Sequence, residues 1–363
     1  MAEPLRSALK GHPTAAATAA LVGAVAIVQL LLAVASGAAN AVMVAAIAMG
    51  AVLTASLLPA AQRTTQTLRT RWRDAGLSDL VADVERGLAA HEFELHYQPI
   101  TRLATAEVEM AEALVRWRRA DGAFLSPGRF VPRIEDDPVF WQLTLALIDR
   151  VLAESKHWSS LGRPVDVAVN ISSATLVDER LPAELDRLLS EHRFSPSRLE
   201  LEVTEGAIMR DAQLAARVLC DIRDLGVARI SIDDFGMGYS SLGRLRDLPV
   251  NAVKLDRSFV AELAASGDST LVKSIIELAH GLGMTVTAEG VEHPETWQTL
   301  ARLGCDHAQG FWIARPAPPR VFGAWLRDFS PGPYAALSAI GDRREGPGRR
   351  EADVVAAPRL GVD

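Results

Sequence analysis

Asp233 and Asp234 end an apolar run and pass directly into Phe235-Gly236-Met237-Gly238, and no other stretch of the chain points so plainly to chemistry. Side chains of neighbouring residues on a strand face opposite ways, so two adjacent acids serve one centre only where the strand stops and the chain turns. Gly236 and Gly238 permit such a turn. Taken alone, an Asp-Asp-x-Gly sequence is most often a solvated turn. What argues for a site is that other short apolar runs end the same way: Glu112 in Ala-Glu-Ala-Leu-Val-Arg-Trp, Asn170 in Val-Ala-Val-Asn, Glu202 in Leu-Glu-Leu-Glu-Val-Thr-Glu. Together with Asp233 and Asp234 these offer oxygen ligands, the set that hard Mg²⁺ or Mn²⁺ prefers. Further along come Lys254 in Val-Lys-Leu-Asp-Arg, Glu289 in Thr-Ala-Glu-Gly-Val-Glu and Gln309 in Asp-His-Ala-Gln-Gly. Each has an ordinary structural reading as an outward position, a salt-bridge partner or a strand cap. An apolar surround does not hold four or five acids together without cations to offset them. Two metals about 3.5–4 Å apart would clamp a phosphodiester and activate a water for in-line attack, which makes metal-dependent phosphodiester hydrolysis the expected reaction class.

The elements that position these residues alternate. Strands are expected over 94–100, 108–115, 165–171, 199–203, 229–233, 252–255, 285–289 and 308–313, with helices over 140–158, 174–191, 211–225, 270–282 and 294–303. Eight strands in roughly 230 residues fit a TIM-type (β/α)₈ barrel, whose strand C-termini form the active face. On the second strand Met110, Glu112, Leu114 and Arg116 share one face, so Glu112 lies on a largely apolar side and needs a partner. Cys220 falls on an apolar helical pattern and is expected in the core.

Of the 363 residues, 49% are apolar, unevenly spread: Lys10 to Arg63 encloses no Asp, Glu, Lys or Arg. Two spans over about 14–35 and 41–60 each approach the roughly 20 helical residues that cross a bilayer, so residues 1–61 are expected to hold a transmembrane hairpin. A signal peptide is the rival, with an apolar core of only about 7–15 residues. Arg6 and Lys10 before the hairpin, and Arg63, Arg69, Arg71 and Arg73 after it, place both ends in the cytoplasm. Residues 62–79 read as a helical juxtamembrane linker able to carry a signal, 80–328 as the barrel domain and 329–363 as a disordered tail. The net charge of −7 argues against a nucleic-acid polymer as partner, and two cysteines are too few for a disulfide framework or zinc cluster.

The same motifs, with Tyr97-Gln98-Pro99-Ile100, Asn170-Ile171-Ser172, Lys254-Leu255-Asp256-Arg257-Ser258-Phe259 and Gln309-Gly310-Phe311, occur in the order that resembles an EAL-domain cyclic di-GMP phosphodiesterase. The resemblance implies a barrel with an antiparallel first strand and hydrolysis of cyclic di-GMP to linear pGpG with two Mg²⁺ or Mn²⁺ ions. By motif it makes Glu112, Asn170, Glu202, Asp233, Asp234 and Glu289 metal ligands, and gives Lys254, Glu289, Gln309 and Glu205 catalytic roles. Whether a lysine or a carboxylate takes the proton stays open; a lysine beside metals could have a lowered pKa. Gln98, Leu114, Arg116, Pro132, Asp256 and Glu292 match substrate-side positions, while Glu205 and the loop after Asp234 match a segment coupling the site to a homodimer.

Three departures stand out: Met110 for a Gly before Ala-Glu-Ala-Leu, Met237 for a Thr in the glycine-rich loop, and Arg133-Ile134-Glu135-Asp136-Asp137-Pro138-Val139-Phe140 for Leu-Ala-Glu-Glu-x-Gly-Leu-Ile. None removes an expected metal ligand, but Met237 weakens the dimer coupling. Two other readings compete: a catalytically weak cyclic di-GMP-binding module, and a barrel acting on lipid-derived phosphodiesters.

Overall fold

The computed structural model describes residues 76–120, 122–160, 165–236, 248–332 and 334. The two expected membrane spans, most of the 62–79 linker, the loop carrying Met237 and most of the expected tail lie outside these residues. Among the described residues no helix is long and apolar enough to cross a membrane.

Strands β1 (Phe93–Arg102), β2 (Val108–Arg118), β3 (Phe124–Leu125), β4 (Asp166–Ile171), β5 (Leu199–Thr204), β6 (Arg229–Phe235), β7 (Ala252–Leu255), β8 (Thr285–Ala288) and β9 (His307–Ala308) follow the order β1-β9-β8-β7-β6-β5-β4-β2-β3. Pairing of β1 with β2 closes eight of them into a barrel, and β3 is a two-residue ribbon on the end of β2. β1 runs antiparallel to both neighbours, setting Gln98 across from Glu112 and Phe93 across from Trp117. The barrel's remaining pairs, from β2–β4 round to β8–β9, are parallel.

Helix α1 spans 76–89. It is followed by α2 (Pro127–Ile134), α3 (Pro138–Ser160), α4 (Ser173–Leu176), α5 (Leu181–His192), α6 (Glu205–Arg210), α7 (Ala212–Asp224), α8 (Arg257–Ser266), α9 (Thr270–Gly281), α10 (Pro294–Arg302) and α11 (Pro319–Asp328). Strict alternation fixes which side chains enter the barrel. On β5, Leu199, Leu201 and Val203 join the apolar layer under the helices, leaving Glu200 and Glu202 on the other face, buried inside the barrel.

The structure corrects three sequence expectations. The last strand is two residues rather than 308–313, because the chain turns at Gly310, whose carbonyl accepts from the Ile313 and Ala314 amides at 3.1 and 3.2 Å. The helix expected over 174–191 breaks into α4 and α5, since Pro182 is tolerated only in a helix's first turn. Cys220 is exposed: the buried face of α7 is Ala215, Val218, Leu219 and Ile222. Packing also reaches past residue 328, as Phe329 and Tyr334 are buried and their rings lie 5.4 Å apart.

Candidate active site

Lys254 enters the barrel from β7, only 2% exposed, and its Nζ gathers four carboxylates. Glu289 Oε1 lies at 2.7 Å, Glu202 Oε2 at 2.9 Å, and Glu112 Oε2 and Asp233 Oδ1 at 3.5 Å each. Glu112 comes from the middle of β2, Glu202 and Asp233 from the C-terminal halves of β5 and β6, and Glu289 from the residue after β8, so four separate strands meet on one ammonium. Burial opposes the lysine's charge, yet the carboxylates outweigh it and hold the pKa well above the usual lysine value. With the four acids alone around it, Lys254 is a charged hydrogen-bond donor.

Glu112 is held on its other side by neutral donors. Asn170 Nδ2 donates to Oε1 at 2.9 Å, and Gln309 Nε2 donates to Oε2 at 2.6 Å and to Gln98 Oε1 at 3.1 Å. Gln98 donates in turn to the Ala314 carbonyl at 3.1 Å. Burial pushes Glu112 up, but Lys254 and these donors prevail and its pKa is lowered. Its neighbour Glu202 goes the opposite way: burial, then repulsion from Glu112, raises it well above the usual carboxylate range. Glu289 is raised to about 7, first by burial and then by Asp233 and Glu112, with Lys254 opposing. Acids a few ångströms apart thus have their proton affinities shifted in opposite directions by their surroundings.

The remaining expected site residues take other places. Asp234 is exposed, in the left-handed region at φ 54°, and its amide donates to Asp233 Oδ1 at 3.0 Å; its pKa is raised by burial and by Asp233 and Asp256. It sits on the rim, apart from the acids paired with Lys254. Gly236 follows at φ 99°, where a Cβ would meet the Phe259 ring at 2.9 Å. Glu205 is buried at the first position of α6, whose Thr204 cap accepts from the Ala207 amide at 3.2 Å. Asp256 caps α8 through the Ser258 amide at 2.9 Å. Exposed Glu292 lines a separate surface cavity with Arg257 and His293.

Arg116 follows Glu112 and Leu114 on the inward face of β2, half-buried, its pKa lowered by that burial while Glu112 counteracts. Leu114 lines a cavity of about 350 Å³ beside Glu112 and Asn170, and Pro127 and Val131 of α2 close one wall. Pro132 is exposed on the same helix. Sequence reasoning missed Leu143, Thr144 and Leu147 of α3, which form another wall; their helical spacing was the available signal, but it reads as ordinary core. It also missed the bridge of Arg210 Nη1 to Asp136 Oδ1 at 2.6 Å, which joins α6 to the turn before α3.

Four carboxylates against one ammonium leave a negative excess, Glu202 Oε1 is buried without a hydrogen-bond partner, and the nearby donors are oxygens. This fits a hard divalent cation in charge and donor type. Among the described residues no group of three His, Cys, Asp or Glu is preset as an ion cage, because the acids turn toward Lys254 instead.

Residues 81–316 match the family model described as "EAL domain". Among curated relatives, a Pseudomonas aeruginosa cyclic di-GMP phosphodiesterase, PA2567, is 37% identical over 250 residues, covering 68% of this chain and 42% of its own length. A second from that organism, RocR, is 36% identical over 247 residues, covering 67% and 62%. The chain thus spans less than two thirds of either relative's length. The solved PaMucR phosphodiesterase in complex with c-di-GMP superposes with a TM-score of 0.64 at 36% identity, over 67% of this chain and 99% of that one. Since the matched residues run from α1 through the last barrel strand and carry every acid gathered on Lys254, the chain belongs to the EAL domain family.

Proposed function

We propose that this protein hydrolyses cyclic di-GMP to linear pGpG. The observation that carries the reading is the convergence of Glu112, Glu202, Asp233 and Glu289 on Lys254 at the barrel mouth, and the names of its relatives support the substrate. Glu112, Asn170, Glu202 and Asp233, with Asp234 and Glu289, would hold Mg²⁺ or Mn²⁺, two ions by family resemblance. Bound there, divalent ions supply positive charge to the phosphodiester and make a water more acidic.

The chain's own groups do the rest. Arg116 presents a planar guanidinium suited to a phosphate oxygen pair. Gln309, fixed between Gln98 and Glu112, orients groups at the mouth. Lys254 donates hydrogen bonds to Glu289 and Glu202. Glu289, whose Oε1 lies 2.7 Å from Lys254 Nζ, accepts the proton. A water oxygen bonds to phosphorus, one of its protons passes to the Glu289 carboxylate, the P–O3′ bond breaks, and the departing 3′ oxygen takes a proton from bulk water while Glu289 releases its own to solvent.

Further parts of the reading concern the whole chain. A hairpin over 14–35 and 41–60, supported by the uncharged interval from Lys10 to Arg63, anchors the protein in the bacterial inner membrane with the barrel, 80–328, in the cytoplasm. Residues 62–79 link the two, 329–363 are a tail, and the barrel forms a homodimer by family resemblance. The test is turnover by the full chain: cyclic di-GMP becomes pGpG with Mg²⁺ or Mn²⁺, stops with EDTA, and is lost in Glu112→Ala. A folded wild type that binds cyclic di-GMP without cutting it supports the binding-module alternative, and preference for a lipid-derived phosphodiester in competition overturns the substrate.

A further inference from the structure

The antiparallel direction of β1 decides where the chain enters the barrel. In a barrel of parallel strands the segment before the first strand arrives at the floor, opposite the active face. Here β1 starts at Phe93, which pairs across from Trp117 near the C-terminal end of β2, beyond Glu112 and Arg116. Helix α1, ending at residue 89, is thereby brought to the mouth.

Its contacts there are specific. Val84 is fully buried. Asp83 Oδ2 accepts from Arg119 Nη2 at 2.9 Å, and Asp83 also pairs with Arg86. Trp117 Nε1 donates to Glu92 Oε2 at 2.9 Å, directly after the helix. A Cβ on Gly87 would lie 3.0 Å from that indole nitrogen and 3.1 Å from both Glu92 Oε2 and the Phe93 ring, so the helix approaches as closely as a missing side chain allows. Trp117 stacks on Phe93 with centroids 5.0 Å apart and meets Phe130 of α2 edge-on at 5.3 Å. The residue before Trp117 is Arg116, and the residue after Phe130 is Val131, which lines the cavity beside Glu112.

From this we infer that Trp117 is a positioning residue, transmitting the placement of α1 to Arg116 and to the α2 wall of the cavity beside Glu112. Gly87 and the Asp83–Arg119 pair are the two couplings through which α1 sets substrate affinity. Close-packed interiors pass on displacements of this kind, because there is no free volume to absorb them. The inference rests on the cyclic di-GMP reading above.

The test is steady-state kinetics on the full chain with Gly87→Ala and Asp83→Asn, beside thermal unfolding. The added Cβ is tightly placed, so a purely structural role for Gly87 predicts a changed Tm with unchanged kinetics. Transmission predicts a KM for cyclic di-GMP raised about three- to tenfold in Gly87→Ala with kcat within about twofold, and a smaller change of the same kind in Asp83→Asn. Combining Gly87→Ala with Trp117→Phe, which removes the nitrogen that the added methyl meets, gives a KM effect below the product of the single effects. An unchanged KM in folded Gly87→Ala, or multiplicative effects in the double variant, overturns the inference. A wild type that binds without turnover removes the hydrolytic reading alone, and the same shifts are then expected in Kd. One that neither binds nor cuts overturns both.

Discussion

Glu289 gives the sharpest prediction, because burial and its acidic neighbours raise its pKa from the ordinary 4.5 to about 7 and its side chain is only 21% exposed. The perturbation is a rise in pH with divalent ions chelated. Below pH 4.5 both the folded and the unfolded chain carry the proton. As pH rises through 4.5 the unfolded chain releases it while the folded protein keeps it until about 7, so the unfolded state binds fewer protons and stability falls across that window. The difference of 2.5 units, 7 − 4.5, corresponds to about 3.4 kcal/mol at about 1.36 kcal/mol per unit, of which about 2.5 kcal/mol falls between pH 5 and 8. Glu202, also raised, adds the same sign. Glu112, lowered, has the opposite sign, but that contribution is nearly complete once the unfolded carboxyl has titrated, and Lys254 keeps its proton throughout. Guanidinium titrations of the wild type and Glu289→Gln in EDTA at pH 5, 6, 7 and 8 measure the effect. The wild type should lose about 2.5 kcal/mol more than the variant over this range, and added Mg²⁺ or Mn²⁺ should flatten the loss by favouring the ionised acids. Stability that stays constant or rises in the chelated wild type, or an equal slope in Glu289→Gln, refutes the assignment.

Three further outcomes are expected. Lys254→Met strips four carboxylates of their cation and should destabilise the chelated protein by about 3–5 kcal/mol; melts with and without Mn²⁺ should show a larger metal-induced rise in Tm than in wild type. Gln309→Ala removes the donor shared by Glu112 and Gln98, and should lower kcat by about a hundredfold, read by pGpG formation, while circular dichroism stays native. Gly310→Ala would place a Cβ 2.1 Å from the Val291 carbonyl oxygen, and should cost about 3 kcal/mol or more in chemical denaturation, whereas the same change at Gly304, with nothing within 4 Å, costs less despite its positive φ.

Much of this was visible in the chain itself. Strand alternation and polar strand ends are local patterns, so eight short apolar runs could be recognised and Glu112, Glu202, Asp233 and Lys254 placed on them as site candidates without knowing their partners. Helix ends and the last strand were less readable: the break before Pro182 and the turn at Gly310 depend on how the chain packs against neighbours distant in sequence. Cys220 shows the same limit, since an apolar period identifies a helix but cannot say which margin of its apolar stripe is covered.

What the sequence determined by itself was the donor chemistry, acids and amides at the ends of apolar strands, because residue type and period-two spacing are fixed by the covalent chain. Only the tertiary structure decided that Lys254 is the hub on which four strands close, that Glu112 is lowered while Glu202 and Glu289 are raised, that Asp234 stands on the rim, and that α1 lies at the mouth. Those facts follow from barrel closure, the direction of β1 and burial, which act between residues far apart in sequence and have no local signature.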